Sequence, residues 1–529
     1  MLTESENPGK KTFLKDLLAS VVVFLVALPL CMGIAVASGV PPALGLITGI
    51  IGGLVVGLFA GAPLAVSGPA AGLTVLVFEI IRTHGIGMLG PIVLVAGLIQ
   101  LLAGYLRLGQ WFRAVSPSVI HGMLGGIGAL ILVSQFHVML DAAPKGSGLA
   151  NLLAIPGAIW SLVSVEIDHP GIQAGLVGLI TIALMAGWSL VQKTPLRVVP
   201  APLVAVVCAT LFVHLTGSNI QRVALPESLV SALSFPNWES LSNLFNPKVL
   251  ASIFSLALIA SAETLLCASA LTKLRADAKS DYDKELVAQG IGNSLCGLLG
   301  ALPMTGVIVR STANIQGGAQ TRWSAVFHGV WLLVFVALAP QLLRLIPMAS
   351  LAAILVFTGY KLLNPYGLKR LARYGQSAVV LYLITLVGIV TIDLLTGVLL
   401  GVAASLLRLV HTISGLRIVR EETERGLTLQ LKGNATVFSL PRLARTLESL
   451  PLDKPVTLNV HKLYYLDHAC MDLIETIRVQ RTGTPGELHL DAEQLRFKYL
   501  RSQQGPALAQ SEPENKSDAD AEVSKMALR

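Results

Sequence analysis

The sequence predicts an all-α polytopic membrane protein, with fourteen transmembrane segments in two inverted seven-segment repeats, followed by a small cytoplasmic α/β domain. Three observations carry that expectation. Of the 529 residues, 53% are hydrophobic and only 13% charged, with a mean hydropathy of +0.69, whereas soluble domains carry about a quarter charged residues. Two apolar runs break at matching places, third in each set of seven, which marks inverted-repeat carriers with a site at the repeat interface. Threaded in this way, the chain places most of its cations on one side of the membrane.

Residues 1–16 are polar and end in Lys10, Lys11 and Lys15, just before an apolar run from Leu17 to Ser38. Ala35-Val36-Ala37 imitates a signal-peptidase site, but the run exceeds the usual h-region of about 7 to 15 residues and another span follows at once, so an uncleaved first helix is expected. The second span is Leu44 to Ala60. The third, Ala62 to Ile80, passes through alternating small residues to Ser67-Gly68-Pro69; a helix is expected to begin there with Pro69 in its first turn, where the missing N–H costs nothing. Spans at Pro91–Leu106, Val119–Gln135, Ile172–Val191 and Val198–Thr216 complete the first set, with a polar-flanked connection over 136–171.

The second set runs through Val249–Leu271, Leu286–Ala301, a broken segment ending at Gln316, Trp323–Leu343, Ser350–Leu362, Ala378–Ile392 and Leu395–Leu409. Seven is odd, so the two halves are inverted. In the broken segment Pro303 and Gly306 interrupt the apolar run, and a short helical pattern resumes from Val307. Unwound backbone at membrane depth is tolerated only against protein or a wet cavity, because each bare N–H or C=O costs several kcal/mol in lipid.

The transmembrane domain is placed at 17–412, with repeats over about 17–216 and 249–412. After Leu416 the composition becomes that of a soluble domain. Leu427–Gly433, Pro455–Asp467 and the run GELHLD read as strands, SLPRLARTLESL and HACMDLIETIRVQ as amphipathic helices, which makes a small α/β domain over 417–500. The acidic tail, 501–529, is expected to be disordered.

With both termini in the cytoplasm, the inner segments receive Lys10, Lys11, Lys15, Arg107, Arg113, Lys193, Arg197, the cations of the Lys273–Lys284 loop, Arg322, Lys361, Lys369, Arg370, Arg373 and Arg408. The outer segments receive only Arg82, Lys145, Arg222, Lys248 and Arg344. This asymmetry supports the count and the direction of threading; the location expected is the inner membrane of a bacterial-type cell. It also accounts for the net charge of +8, so no nucleic-acid partner is expected. Cys31, Cys208, Cys267, Cys296 and Cys470 lack metal-ligand spacing, and neither a metal nor a cofactor is expected.

Helix starts beside the two breaks aim free N–H groups and positive dipole ends at the same place. The backbone donors of Ala70, Ala71, Gly72, Val307 and Ile308 are therefore the expected anion cradle. Glu263 lies well inside the eighth span, where an ionisable group is functional by default; it is expected to couple transport by binding a proton or a cation, the alternative being a static clamp. Arg310, one turn into the tenth segment, adds positive charge at that helix end, the alternatives being a partner for Glu263 or an arginine snorkelling to the cytoplasmic edge. His121, His214 and His328 read as packing or interface residues, and Asp393 as a helix cap. No nucleophile, metal or acid pair is assembled for an enzyme.

The arrangement resembles the SulP family of inorganic anion transporters with a C-terminal STAS domain. The resemblance rests on VALPLCMGIAVASGVPP (Val26–Pro42), VSGPAAGLTVLV (Val66–Val77), ETLLCASALTKL (Glu263–Leu274) and ELVAQGIGNSLCGLLGALPMTGVIVRSTANIQGGAQT (Glu285–Thr321). It implies a core and a gate that move elevator fashion, a sulfate or bicarbonate ion held between the third and tenth segments, and a homodimer in lipid. Arg310 resembles the basic residue that borders the anion in many relatives. Sodium-coupled bicarbonate carriers of the family have an Asp, a Thr four residues on and a hydroxyl in the tenth segment; Glu263, Cys267 and Ile308 stand there, which favours a proton over sodium as the coupling ion. In the STAS-like domain His468, Ala469 and Cys470 follow Asp467, where many relatives carry Ser or Thr, so the hydroxyl of a phosphorylation switch is missing. A nucleobase permease, a dicarboxylate carrier and an anion channel or STAS-based signalling protein are the competing readings.

Overall fold

The computed structural model describes residues 8–110, 116–145, 147–163, 169–188, 190, 199–224, 230–275, 279–373, 375–423 and 426–503. Residues 504–529 of the tail expected to be disordered, together with Arg113, Lys193 and Arg197, lie outside them, whereas 501–503 are helical. The chain divides into two units, Met1–Val402 and Ala403–Arg529.

In chain order the helices are α1 (Pro8–Ala37), α2 (Pro42–Ile51, prolonged by a π-turn over Gly52–Val56), α3 (Thr74–His84), α4 (Leu89–Tyr105), α5 (Pro117–Met139), α6 (Gly148–Val163), α7 (Pro170–Gly187), α8 (Ala201–Thr216), α9 (Pro247–Leu274), α10 (Tyr282–Leu298), α11 (Ile308–Gln316), α12 (Trp323–Leu338), α13 (Met348–Leu363), α14 (Gln376–Thr391) and α15 (Leu394–Ile413). Two three-residue strands, β1 (Ser67–Pro69) and β2 (Met304–Gly306), precede α3 and α11. Among the described residues seven helices are long and apolar enough to cross a membrane, and α6, α8, α12, α13 and α14 are shorter apolar ones. Proline opens α2, α5, α7, α8 and α9, where its fixed φ suits the first turn. Asn246 caps α9 by accepting from Lys248 N–H at 3.0 Å, and Asp281 caps α10 by accepting from Asp283 and Lys284 N–H at 3.1 Å each.

In the first unit two features differ from the sequence reading. The connection over 136–171 contains α6, with Pro156 inside it. Pro69 ends strand β1 instead of opening a helix; Ala70 is still extended, a 3-10 turn covers Ala71–Leu73, and α3 starts only at Thr74. Pairing with β2 explains the delay, since it holds Ser67 to Pro69 extended.

Glycines let the long helices meet backbone to backbone, which is how membrane helices associate without a hydrophobic drive. Between α4 and α10, a Cβ on Gly97 would lie 2.5 Å from Ser294 N and one on Gly297 2.2 Å from Leu94 N. Between α5 and α13, Gly128 and Gly359 face each other, each with its Cβ position 2.6 Å from the other's carbonyl oxygen.

The second unit contains β3 (Leu416–Thr423), β4 (Gly426–Ala435), β5 (Val456–Asn459), β6 (Leu463–Leu466) and β7 (Leu488–Leu490), with helices α16 (Leu440–Glu448), α17 (His468–Arg481) and α18 (Ala492–Gln503). The sheet runs β3-β4-β5-β7, with β6 also paired to β4; β3 is antiparallel to β4, and the other pairings are parallel. Leu429, Leu431, Val456, Leu466, Cys470 and Ile474 are fully buried in its core. Strand β3 and helix α18 are absent from the sequence reading.

Candidate functional site

The two broken segments meet. β1 and β2 pair antiparallel, with Ser67 opposite Gly306, Gly68 opposite Thr305 and Pro69 opposite Met304, so α3 and α11 leave the ribbon from opposite ends. Neither helix start carries a side-chain cap.

The unwound backbone on either side of the ribbon finds partners on its neighbours, as lipid requires. From α10, Glu285 Oε2 accepts from Ala62 N–H at 2.8 Å, Gln289 Nε2 donates to Ser67 Oγ at 2.6 Å, and Asn293 Oδ1 accepts from Met304 N–H at 2.7 Å. From α11, Asn314 Nδ2 donates to Leu64 O at 3.1 Å, Ser311 Oγ accepts from Val66 N–H at 2.9 Å, and Arg310 Nη2 donates to Pro69 O at 3.3 Å. Thr264 of α9 accepts from Gly306 N–H at 3.3 Å, and Thr48 of α2 donates to Leu302 O at 2.9 Å.

Two members of the expected cradle are engaged within the protein. Val307 N–H donates to Val66 O at 3.0 Å, extending the strand pairing by a residue. Gly72 N–H donates to Glu263, whose carboxylate also receives the Thr305 hydroxyl. Their missing freedom is a correction to the sequence reading, which counted helix-end donors without knowing what lay against them. Ala70 is 2% exposed, and Ala71 and Ile308 are half-buried at the two helix starts.

Glu263 retains one carboxylate oxygen, Oε2, without a partner among the described residues. Gly72 is small because it must be: a Cβ there would lie 2.4 Å from Glu263 Oε1. The neighbouring acid, Glu285, contrasts with it. Its oxygens accept from the Gly61 and Ala62 N–H groups and from Gln289, which makes it a saturated clamp.

Arg310 is 0% exposed, so it does not snorkel, and among the described residues no carboxylate pairs with it. Its guanidinium lies behind β1, where a Cβ on Gly68 would lie 2.2 Å from Nη1, and it bonds the Cys31 thiol of α1. Among the described residues Nε and Nη1 have no hydrogen-bond partner. Cys267 sits under Gly306, its Sγ 3.6 Å from Ser311 Oγ, in an apolar cluster that also takes Ile308. His328 is fully buried, and Asp393 caps α15 by accepting from Thr396 N–H at 2.9 Å and Oγ1 at 2.6 Å. A cavity of about 530 Å³ is lined by Thr74, Arg82 and His84 of α3, Lys145, and Lys248 and Ser252 of α9. It reaches the first residue of α3 but not Ala70 to Gly72 or α11.

The model of the sulfate permease family matches residues 13–385. The chain belongs to the sulfate permease family. Its members are permeases, not enzymes. The bicarbonate transporter BicA of Synechocystis sp. is 29% identical over 413 residues, covering 76% of this chain and 70% of the relative. The solved transmembrane domain of a cyanobacterial BicA superposes with a TM-score of 0.63 at 26% identity, over 73% of this chain and 97% of that one. Murine solute carrier 26 family member A9, in an inward-facing state, gives a TM-score of 0.74 at 14% identity over 98% and 92% of the two chains, and shares the fold. The fold is thus the fourteen-segment inverted repeat with a STAS-like α/β unit, and the protein is an integral membrane permease.

Sequence reasoning passed over Thr305, Ser311, Asn314 and the α10 residues Glu285, Gln289 and Asn293. The last three carried a readable signal, polar side chains four residues apart inside an apolar, glycine-rich span.

Proposed function

We propose that this permease is a secondary carrier of a small inorganic oxyanion, sulfate or bicarbonate, bound where the starts of α3 and α11 approach the β1–β2 ribbon. Arg310 carries the reading. A fully buried guanidinium with no carboxylate partner among the described residues is strongly unfavourable unless a counter-charge reaches it, and Nε and Nη1 are the groups left to receive one. Ala70, Ala71 and Ile308 supply the remaining helix-end donors. Glu263 is the coupling group. Held on one side by Gly72 and Thr305, with Oε2 unpartnered, it takes up a proton in one state and releases it in another. Cys267 and Ile308 offer no hard oxygen for sodium, which favours the proton.

In the same reading α5–α8 and α13–α15 form a gate against which the remaining helices move, both termini face the cytoplasm, the assembly is a dimer in the inner membrane, and the domains fall at 17–412 and 417–500. The names of the relatives support sulfate and bicarbonate over nucleobases and dicarboxylates. The test is uptake of radiolabelled sulfate and bicarbonate into proteoliposomes under an imposed pH or sodium gradient, for the native protein and Glu263→Gln. Uptake driven by pH and lost in the variant is expected; sodium-driven uptake would overturn the coupling assignment, and uptake of neither anion would overturn the substrate.

A further inference from the structure

Three polar side chains on one face of α10 each reach a different part of the broken segments. Glu285, Gln289 and Asn293 follow one another at four-residue spacing, which keeps them on neighbouring turns of the same helix face. Glu285 holds the Gly61–Ala62 turn that leads into β1. Gln289 bonds Ser67, the first residue of β1, and also Glu285 Oε1 at 3.3 Å. Asn293 brackets Met304, the first residue of β2, accepting from its N–H at 2.7 Å and donating to its carbonyl at 3.1 Å. All three side chains are at least 98% buried.

The ladder is itself anchored. Asn293 Nδ2 donates to Gln100 Oε1 of α4 at 2.7 Å, and Gln100 Nε2 donates to Ser261 Oγ of α9 at 3.2 Å, two residues before Glu263. Beside it, Gly290 and Gly297 press α10 onto the backbone of α4, with Cβ positions 2.4 Å from Leu101 N and 2.2 Å from Leu94 N. The helix that carries the ladder is therefore held close against α4, and its side chains transmit that position to both strands.

We propose that Gln289 and Asn293 are positioning residues for the anion site, because one α10 face bonds the first residue of each crossed strand and so sets the spacing of the two helix starts. Neither residue is placed to touch the anion. The inference rests on the carrier reading above and deepens it: a shift of β1 against β2 moves Ala70 and Ala71 relative to Ile308 and Arg310, and anion affinity falls while the protein remains folded. Ser67 offers the same bond from the other side, since its hydroxyl is the acceptor for Gln289.

The experiment is anion uptake into proteoliposomes for Gln289→Met, Ser67→Ala, the double variant, Asn293→Leu and Asn293→Asp, with KM and Vmax resolved and Tm measured on the purified protein. Gln289→Met and Ser67→Ala are each expected to raise KM about tenfold, the factor that one lost buried hydrogen bond amounts to, and the double variant to raise it no further. Asn293→Asp, which keeps an acceptor for Met304 N–H, is expected to lie between the native protein and Asn293→Leu. If Tm falls but KM stays native in every variant that folds, the ladder is only structural and the proposal is overturned. Should Gln289→Met fail to fold, Ser67→Ala alone decides the same bond. Absence of uptake by the native protein would instead strike at the carrier reading.

Discussion

Glu263, Gly72 and Arg310 show how far single residues in this membrane protein depend on their neighbours. Glu263 is visible in the sequence as an acid inside a span, but its fit against Gly72 is not, because the two lie in different repeats. That fit makes Gly72→Ala a sharper test of the carboxylate than removal of the acid. The added methyl would sit 2.4 Å from Oε1, so the carboxyl group must shift at a strain of about 1–3 kcal/mol. Gly72→Ala is expected to cut uptake about tenfold or more and to flatten its dependence on an imposed pH gradient; unchanged uptake would mean that Glu263 moves freely and is not held by this contact. Arg310→Gln removes the buried charge while keeping a donor for the Pro69 carbonyl. Since hydrogen bonds to charged groups contribute about 1.5–3 kcal/mol, KM for the anion is expected to rise about 10- to 100-fold, and a native KM with low yield would assign Arg310 to folding alone. The helix-end donors were legible as a class from the Pro and Gly breaks. Which of them are free was not, because Val66 and Glu263 claim two of them.

Among the elements, α10 is the one whose importance the hydropathy pattern conceals. Its composition reads as an ordinary span, yet one face is polar and bonds the broken segments while glycines on it meet α4. Gly297→Ala places a Cβ 2.2 Å from the Leu94 nitrogen, backbone that cannot yield, and is expected to destabilise the protein by about 2 kcal/mol or more, read as a fall in Tm of the solubilised protein. Gly157→Ala in α6 is the control: nothing lies within 4 Å of its Cβ position, and helix propensity makes it neutral or stabilising by up to about 1 kcal/mol. Equal effects of the two substitutions would contradict the close packing of α4 and α10. Helix α6 itself was missed because its polar flanks and Pro156 resemble a loop, whereas a proline inside a helix is tolerated once surrounding groups satisfy the backbone. The start of α3 was misplaced for the opposite reason. Pro69 suits a helix's first turn locally, and only pairing with a strand far along the chain holds it extended.

At the scale of the molecule, the C-terminal unit is a separate α/β layer structure with its own core. Asp467 caps α17 and also accepts from Val437 N–H at 3.1 Å, while the Cys470 thiol donates to the Thr436 carbonyl at 3.3 Å. Burial, with Asp467 adding to it, pushes that thiol up to about 11, so the reactive thiolate is scarce near neutral pH. Cys470 is expected to resist iodoacetamide in the folded protein and to label once denaturant opens the unit; rapid labelling under native conditions would show that the Asp467 loop opens spontaneously. The apolar character of the spans, the two breaks, the charge asymmetry and the change of composition after Leu416 are determined by the sequence alone, because hydropathy, proline, glycine and charge act locally along the chain. The pairing of β1 with β2, the direction of Arg310, the contact of Gly72 with Glu263 and the reach of α10 to β1 were decided only by tertiary structure, because a hydrogen bond depends on what comes within about 3 Å in space, and partners such as Gln289 and Ser67 or Arg310 and Pro69 lie far apart in the chain.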